Sequence, residues 1–318
     1  MNDALDLKII NALSLDGRAS FRSLAGVLGV SPQTVQRRYA QLRSGSALRV
    51  LGRTYPEAVG DELWFLRLKC APGSTDAVIS AVARHEETDW VHLTSGGTEL
   101  VCTTRNSEDA EPALLRNLPR TPRVTSLGAQ RLLHIYYGGP QNPMVDKTSP
   151  LTADQTARLA FPAAPVPPEP TRLTRTDRAL LKVLHEDGRA ENQELARAAG
   201  CSPSTAHRRV SELRRQGVLY FDLDYDPGLV DRRKATMLWL SVTPASLERA
   251  GRALAAHKEV SFATATTGPT NLYAVITCPH ARALHAYLTG PLTDLPGLNQ
   301  VESAPVTRTV KRAGTPRP

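Results

Sequence analysis

The chain has 318 residues, enough for two or three domains of ordinary size, and its 41% hydrophobic content excludes wholesale disorder. No window approaches the roughly 18 consecutive apolar residues of a membrane span, and Cys70, Cys102, Cys201 and Cys278 are scattered without a C-x-x-C pair, which excludes a zinc ribbon or disulfide framework. The formal net charge of +8, with a pI near 9.5, points toward a polyanionic partner.

The opening Met1-Asn2-Asp3-Ala4-Leu5-Asp6 places no basic region ahead of an apolar run, so a cytoplasmic protein is expected. The first elements are helical. Leu5, Ile9, Ala12 and Leu13 keep the spacing of one helical face and stop at Asp16-Gly17-Arg18. Ser20 is placed to cap a second helix with Phe21, Leu24, Ala25 and Leu28 on its apolar face. Gly29-Val30-Ser31 reads as a tight turn, and Ser31-Pro32 as an N-cap followed by proline at the first helical position. The third helix runs to about Ser44 and buries Val35, Tyr39 and Leu42.

Two helices joined by a three-residue turn containing glycine form a helix-turn-helix, whose second helix enters the major groove of DNA. With the inner face assigned, Gln33, Thr34, Gln36, Arg37, Arg38, Gln41 and Arg43 point outward and, with Ser31, make up the candidate DNA-contacting set. Arg and Gln match the guanine and adenine edges, while Ser and Thr suit phosphate or short base contacts.

An α/β pattern follows. Residues 63–70 read as a strand and 73–84 as a helix with Val78, Ile79 and Val82 inward. Strands at 89–95 and 98–104 flank Gly96-Gly97, then come a helix at 107–117 and a strand at about 124–136. The order β-α-β-β-α-β is ferredoxin-like. One face of such a sheet is open, so self-association through these domains is expected. Residues 140–171 hold eight prolines and read as an extended, semi-stiff spacer, with a short helix within 151–160.

The chain then repeats itself. A shift of 171 aligns residues 6–48 with 177–219 without a gap, and 17 of those 43 positions are identical, including Asp16-Gly17-Arg18, Ser31-Pro32 and Arg37-Arg38. The second candidate set is therefore Ser202, Ser204, Thr205, His207, Arg208, Arg209 and Arg214. One residue of slippage makes the later offset 172, with elements at 236–243, 245–257, 260–267, 270–277, 279–288 and 298–310. The expected fold class is α+β, two tandem modules. Each is a helix-turn-helix domain (1–56, 172–227) followed by a ferredoxin-like βαββαβ domain (61–139, 234–312), with 140–171 as linker.

Residues 1–55 carry a net +5 and residues 172–220 a net +4, leaving the rest close to neutral. Positive charge thus sits on the two readers. Gln33 becomes Ser204 and Gln36 becomes His207, so the readers are expected to prefer different half-sites. Arg49 and Arg53 become Tyr220 and Asp224, and the first reader is expected to hold the DNA backbone more strongly.

The string Asp6…Asp16-Gly17-Arg18…Leu24-Ala25…Gly29-Val30-Ser31…Thr34-Val35…Arg37-Arg38, repeated from Asp177, resembles the reader of the Lrp/AsnC (feast/famine) transcription regulators. The β-α-β-β-α-β unit is similar to that family's ligand-responsive and assembly (RAM) domain. Its Gly-x-x-Asp turn is matched by Gly96-Gly97-Thr98-Glu99 and Gly268-Pro269-Thr270-Asn271, with the Asp replaced in both copies. The resemblance implies operator DNA as partner, dimers and discs built through the second domain, and an amino-acid effector between these domains. An amino-acid zwitterion needs an acceptor for its ammonium and donors for its carboxylate. Glu99 with the amides of Gly96, Gly97 and Thr98 offers both, whereas at Gly268, Thr270 and Asn271 the charge is gone and Pro269 removes a donor.

Siroheme decarboxylases share the two-domain plan and include fused pairs, which keeps an enzyme reading open. Such enzymes need ring-facing His, Tyr and Arg in and after the second strand. Here the strands read Trp90-Val91-His92-Leu93-Thr94-Ser95 and Ser261-Phe262-Ala263-Thr264-Ala265-Thr266, and a lone His92 is more in keeping with a structural histidine. No metal-spaced cluster or cofactor-cradling loop is present in the sequence, so neither metal nor cofactor is expected.

Overall fold

The computed structural model describes residues 4–45, 47–71, 73–107, 113–118, 123–138, 151–162, 164–225, 234–312 and 315–316. In chain order the first copy supplies α1 (Ala4–Leu15), α2 (Phe21–Leu28), α3 (Pro32–Ser44), β1 (Leu48–Thr54) and a short α4 (Pro56–Val59). It continues with β2 (Asp61–Cys70), α5 (Thr75–Arg84), β3 (Thr88–Thr94), β4 (Glu99–Ser107), α6 (Ala113–Asn117) and β5 (Val124–Tyr137). α7 (Ala153–Leu159) falls in the linker. The second copy supplies α8 (Arg175–Glu186), α9 (Asn192–Ala199), α10 (Pro203–Arg215) and β6 (Leu219–Tyr225). It ends with β7 (Lys234–Val242), α11 (Leu247–Ala256), β8 (Val260–Thr266), β9 (Leu272–Cys278), α12 (Ala281–Thr289) and β10 (Leu298–Arg312). Of the helix expected at 107–117, residues 108–112 lie outside the described residues. Among the described residues no helix is long and apolar enough to cross a membrane.

The described parts form two compact units, and each draws on both copies: Met1–Gly60 with Pro140–Arg232, and Asp61–Gly139 with Arg233–Pro318. In the first unit the local chemistry acts as the sequence suggests. Ser20 caps α2 by accepting from the Ser23 amide, and Gly29 ends it in the left-handed region at φ 71°. Ile9, Leu13, Leu24, Val35 and Leu42 close the first reader's core; Leu180, Leu184, Leu195, Ala206 and Leu213 close the second's.

What joins the readers is an element absent from the sequence reading. β1 pairs antiparallel with β6, from Leu48 opposite Tyr225 to Thr54 opposite Leu219. This corrects the expectation for Arg49 and Arg53. Arg49 lies opposite Asp224 and donates to the Glu186 carbonyl at 3.0 Å, and Arg53 is buried. Both belong to the ribbon between copies, where the register sets Arg49 opposite Asp224 and Arg53 opposite Tyr220.

The Asp-Gly-Arg turns complete the joint reciprocally. Arg18 donates to the carbonyls of Gly188 (2.9 Å) and Ala190 (3.1 Å), and Arg189 to those of Gly17 (2.6 Å) and Ala19 (3.0 Å). Burial lowers the pKa of both guanidiniums, with their mutual repulsion adding to the effect on Arg18. The glycines between them are there for close approach. A Cβ on Gly188 would stand 2.9 Å from the Val50 carbonyl oxygen and 2.9 Å from the Leu51 carbonyl carbon, both backbone atoms that cannot swing aside. Gly188→Ala is therefore expected to cost about 2 kcal/mol through overpacking. A melting-temperature drop in thermal unfolding checks it, and an unchanged midpoint contradicts the close fit.

The linker is more than a spacer. α7 carries a capping box between Thr152 and Gln155, and Gln155 donates onward to the Val27 carbonyl at 2.9 Å. Leu151 and Leu159 are buried in the first reader's core. Residues 140–150 and 163 of the expected spacer lie outside the described residues; in the described part, Leu151 and Leu159 are anchored on apolar surface.

In the second unit the strands run β3-β4-β2-β5 in the first copy and β8-β9-β7-β10 in the second, the ferredoxin-like order in each. β5 pairs with β8, and β10 pairs with both β7 and β3, so the two sheets close on each other. Between them lie Phe65, Val101, Met237, Trp239 and Tyr273, with the Phe65 and Tyr273 rings 4.4 Å apart. The sheet pairing expected of such units is made between the two copies inside one chain. Alternation along the strands sends the opposite residues, Leu66, Leu68, Leu100 and Cys102 in one copy and Leu238, Leu240, Leu272 and Ala274 in the other, into two outer cores beneath the helices.

Candidate nucleic-acid interface

α3 and α10 begin alike. Ser31 accepts from the Thr34 amide at 3.1 Å and Ser202 from the Thr205 amide at 3.1 Å, with proline at the first helical position of each. The capping hydroxyls also bond to neighbouring side chains: Ser31 to Thr34 at 2.9 Å, and Ser202 to Ser204 and Thr205 at 2.9 Å each. Valine, tyrosine, alanine and leucine at helical spacing bury one face, leaving Gln33, Gln36, Arg37 and Gln41 exposed on α3 and Ser204, His207 and Arg208 exposed on α10. Arg208 reaches Glu212 at 2.6 Å but keeps 65% of its side chain in solvent.

The other arginines of the two sets go elsewhere. Arg38 lies 3.5 Å from Asp6 on α1. Arg209 donates to both oxygens of Asp177 on α8, at 2.5 and 3.0 Å, and to Glu212 at 3.1 Å. These pairs raise the Arg209 pKa further. Burial of Asp177 is opposed by Arg209 and by Thr174, and the carboxyl stays below its usual range. Arg43 pairs with Asp187 at 2.6 Å and Arg214 with Asp16 at 2.8 Å, each reaching into the opposite copy's Asp-Gly-Arg turn. Arg37 and Arg208 are thus exposed, and Arg38, Arg43, Arg209 and Arg214 tether the readers, although Arg43 keeps 55% of its side chain in solvent. Sequence pattern gives the direction of a Cβ, and a long guanidinium stem ends where its acid is.

The two glycine turns are also occupied by the protein's own side chains. Ser95, Gly96 and Gly97 all have positive φ, at 53°, 69° and 92°. Beside them Glu99 is buried, and Arg67 binds it through Nε at 3.0 Å and Nη2 at 3.1 Å. The same Arg67 holds Glu302 at 2.7 and 2.9 Å and lies 3.8 Å above the Trp239 ring. Although burial opposes it, Glu302 and Glu99 raise the Arg67 pKa, and Arg67 lowers that of Glu302. Glu99 therefore does not stand in an open loop. At the second turn Asn271 bonds both ways to Val242, at 2.9 and 2.8 Å. Gln130 donates to the carbonyls of Thr267 and Thr270, and a Cβ on Gly268 would meet its amide at 2.7 Å.

His92 is half-buried and shares a 3.0 Å hydrogen bond with Thr309. Burial and the nearby Arg312 bring its pKa down to about 4, so the ring is neutral at pH 7.

Residues 3–43 and 173–214 match the AsnC-type helix-turn-helix domain, and residues 236–316 match the Lrp/AsnC ligand binding domain. The HTH-type transcriptional regulator FL11 of Pyrococcus abyssi is 32% identical over 111 residues, covering 34% of this chain and 74% of that protein. The leucine-responsive regulatory protein of Salmonella typhimurium is 27% identical over 145 residues, covering 44% and 88%. Among solved structures, the siroheme decarboxylase NirDL superposes with a TM-score of 0.67 at 15% identity, over 98% of this chain and 93% of that one. That last likeness is one of fold.

Proposed function

The chain belongs to the Lrp/AsnC family, and from that premise we propose that it is a DNA-binding transcription regulator, cytoplasmic, that reads two half-sites with two non-identical helices. The observation that carries the reading is the pair of capped helices, α3 and α10, each presenting an exposed arginine, Arg37 or Arg208, among a set of exposed polar side chains. Base-edge contacts fall to Gln33, Gln36 and Arg37 on one helix and to Ser204, His207 and Arg208 on the other. Ser31, Thr34, Ser202 and Thr205 sit at the helix N-termini, where amides favour phosphate. Footprinting of the purified chain on genomic fragments tests this. The reading requires protected sites with two unlike half-sites about one helical turn, or a multiple, apart; protection without sequence preference overturns it.

In this reading the effector is an amino acid, and the first turn is where it binds. A zwitterion entering between Arg67 and Glu99 would give its carboxylate to the guanidinium and its ammonium to the freed acid, exchanging one ion pair for two. The second turn, with Asn271 and Gln130, has no charge to offer. Calorimetric titration with single amino acids is expected to show one site per chain, lost in Glu99→Gln. Absence of heat with every amino acid removes the effector and leaves the DNA reading standing. Association of whole chains falls to surfaces outside the paired sheet faces, and light scattering measures it directly.

The siroheme decarboxylase reading rests on the fold likeness. It gains nothing from His92, whose Nδ1 is engaged by Thr309 and whose ring is neutral rather than imidazolium at pH 7. Absorbance of a mixture with siroheme separates the two readings.

A further inference from the structure

We propose that Phe161 is a positioning residue for the second recognition helix, and that the linker acts as a strap setting that helix's orientation. The inference rests on the DNA reading above only for its functional consequence. The strap has anchors in both described stretches, 151–162 and 164–171. α7 is anchored on the first reader by Leu151, Leu159 and the Gln155 bond to Val27. The Phe161 amide then donates to the Leu15 carbonyl at 3.5 Å, the end of α1. Its ring lies 3.5 Å from the Arg214 guanidinium carbon, so Arg214 is held between this aromatic face and Asp16.

Further along, a Cβ on Gly217 would run into the Pro165 carbonyl, so the linker backbone lies directly on the turn that ends α10. Val166 packs against the second reader's core, and the Thr171 amide donates to the Ala58 carbonyl at 2.7 Å. The arrangement is one-sided. Arg214 keeps 14% of its side chain exposed, while its counterpart Arg43, on the same kind of acid, keeps 55% exposed. A guanidinium stacked on the Phe161 ring, hydrogen-bonded to Asp16 and 5.1 Å from the Phe221 ring is restrained in orientation, and it sits in the last turn of the helix it fixes. The chain therefore presents one tightly set reader and one with more freedom.

The test uses the full chain with Phe161→Ala and Phe161→Tyr. Hydrogen exchange read by mass spectrometry is expected to speed up over the C-terminal turn of α10 in the alanine variant, to leave α3 unchanged, and to return to the wild-type rate in the tyrosine variant. Duplexes enriched by the wild-type chain from a random library, with one half-site scrambled at a time, supply the functional readout. Phe161→Ala is expected to weaken the second reader's half-site about threefold to tenfold and to leave the first reader's half-site as it was. Arg37→Ala and Arg208→Ala assign each half-site to its reader. Equal losses on both half-sites, or unchanged exchange over α10, overturn the proposal. A wild-type chain that enriches no sequence sinks the DNA reading instead, and the exchange data still decide the strap.

Discussion

Replacing Arg37 and Arg208 together by alanine is expected to weaken retention of an operator fragment by about 2–6 kcal/mol, each good side-chain–base pairing contributing about 1–3 kcal/mol. Thermal stability should stay close to that of the wild type. Both side chains are exposed, and the ion pair lost, Arg208 with Glu212 at 2.6 Å, is an i,i+4 surface pair that contributes little to stability. The plot of log affinity against log salt distinguishes two kinds of contact. Phosphate contacts lower its slope by roughly 0.9 for each cation removed, while base contacts change sequence preference and leave the slope alone. The informative control is Arg38→Ala with Arg209→Ala. Those residues neighbour the first pair in sequence but are bound to Asp6 and Asp177, so that variant is expected to lose melting temperature. Unchanged DNA affinity in the Arg37/Arg208 variant would sink the regulator reading.

These neighbouring pairs also show what the sequence can and cannot reveal. The caps at Ser20, Ser31 and Ser202, the left-handed Gly29 and the proline starts were legible because each is settled within four residues of chain. The ferredoxin-like order was legible for a similar reason: hydrophobic periodicity switches between two and 3.6 at the right places. The β1–β6 ribbon was not, since Leu51 meets Asp222 across 171 residues of chain and nothing local to either strand names its partner. The destinations of Arg38, Arg43, Arg209 and Arg214 were hidden for a third reason. Their Cβ atoms lie on or beside the outer face, as the spacing indicates, but their guanidiniums follow acids contributed by other helices or by the other copy. The occupied glycine turns belong with these, because Arg67 reaches Glu99 from one strand and Glu302 reaches Arg67 from another.

Asp177→Ala is expected to destabilise the second reader by about 3 kcal/mol at pH 7, the lower end of the range for breaking a buried pair, since Arg209 keeps 24% of its side chain exposed and can recover some hydration. No part of the Asp177 side chain is exposed, and it accepts from Arg209 Nε and Nη2, from the Thr174 amide at 2.8 Å and from the Thr174 hydroxyl at 2.7 Å. Its loss therefore removes the Asp177 half of the α8 capping box and leaves Arg209 with Glu212 as its remaining acid. Asp6→Ala removes the equivalent residue of the first reader, where the pair is 3.5 Å apart and both partners are partly exposed, at a cost of about 1 kcal/mol or less. The contrast carries a pH signature. The Asp177 pKa is depressed in the folded state, so its stabilisation is present in full above the unfolded value of about 3.9 and is lost as pH falls through the folded value. Wild-type stability should thus decline below about pH 4, and the Asp177→Ala chain should show less of that decline. Thermal unfolding of both variants between pH 3 and 7 measures it. Equal losses in the two variants, or a pH profile unchanged by Asp177→Ala, would mean that the acid fastening α10 to α8 is not this one.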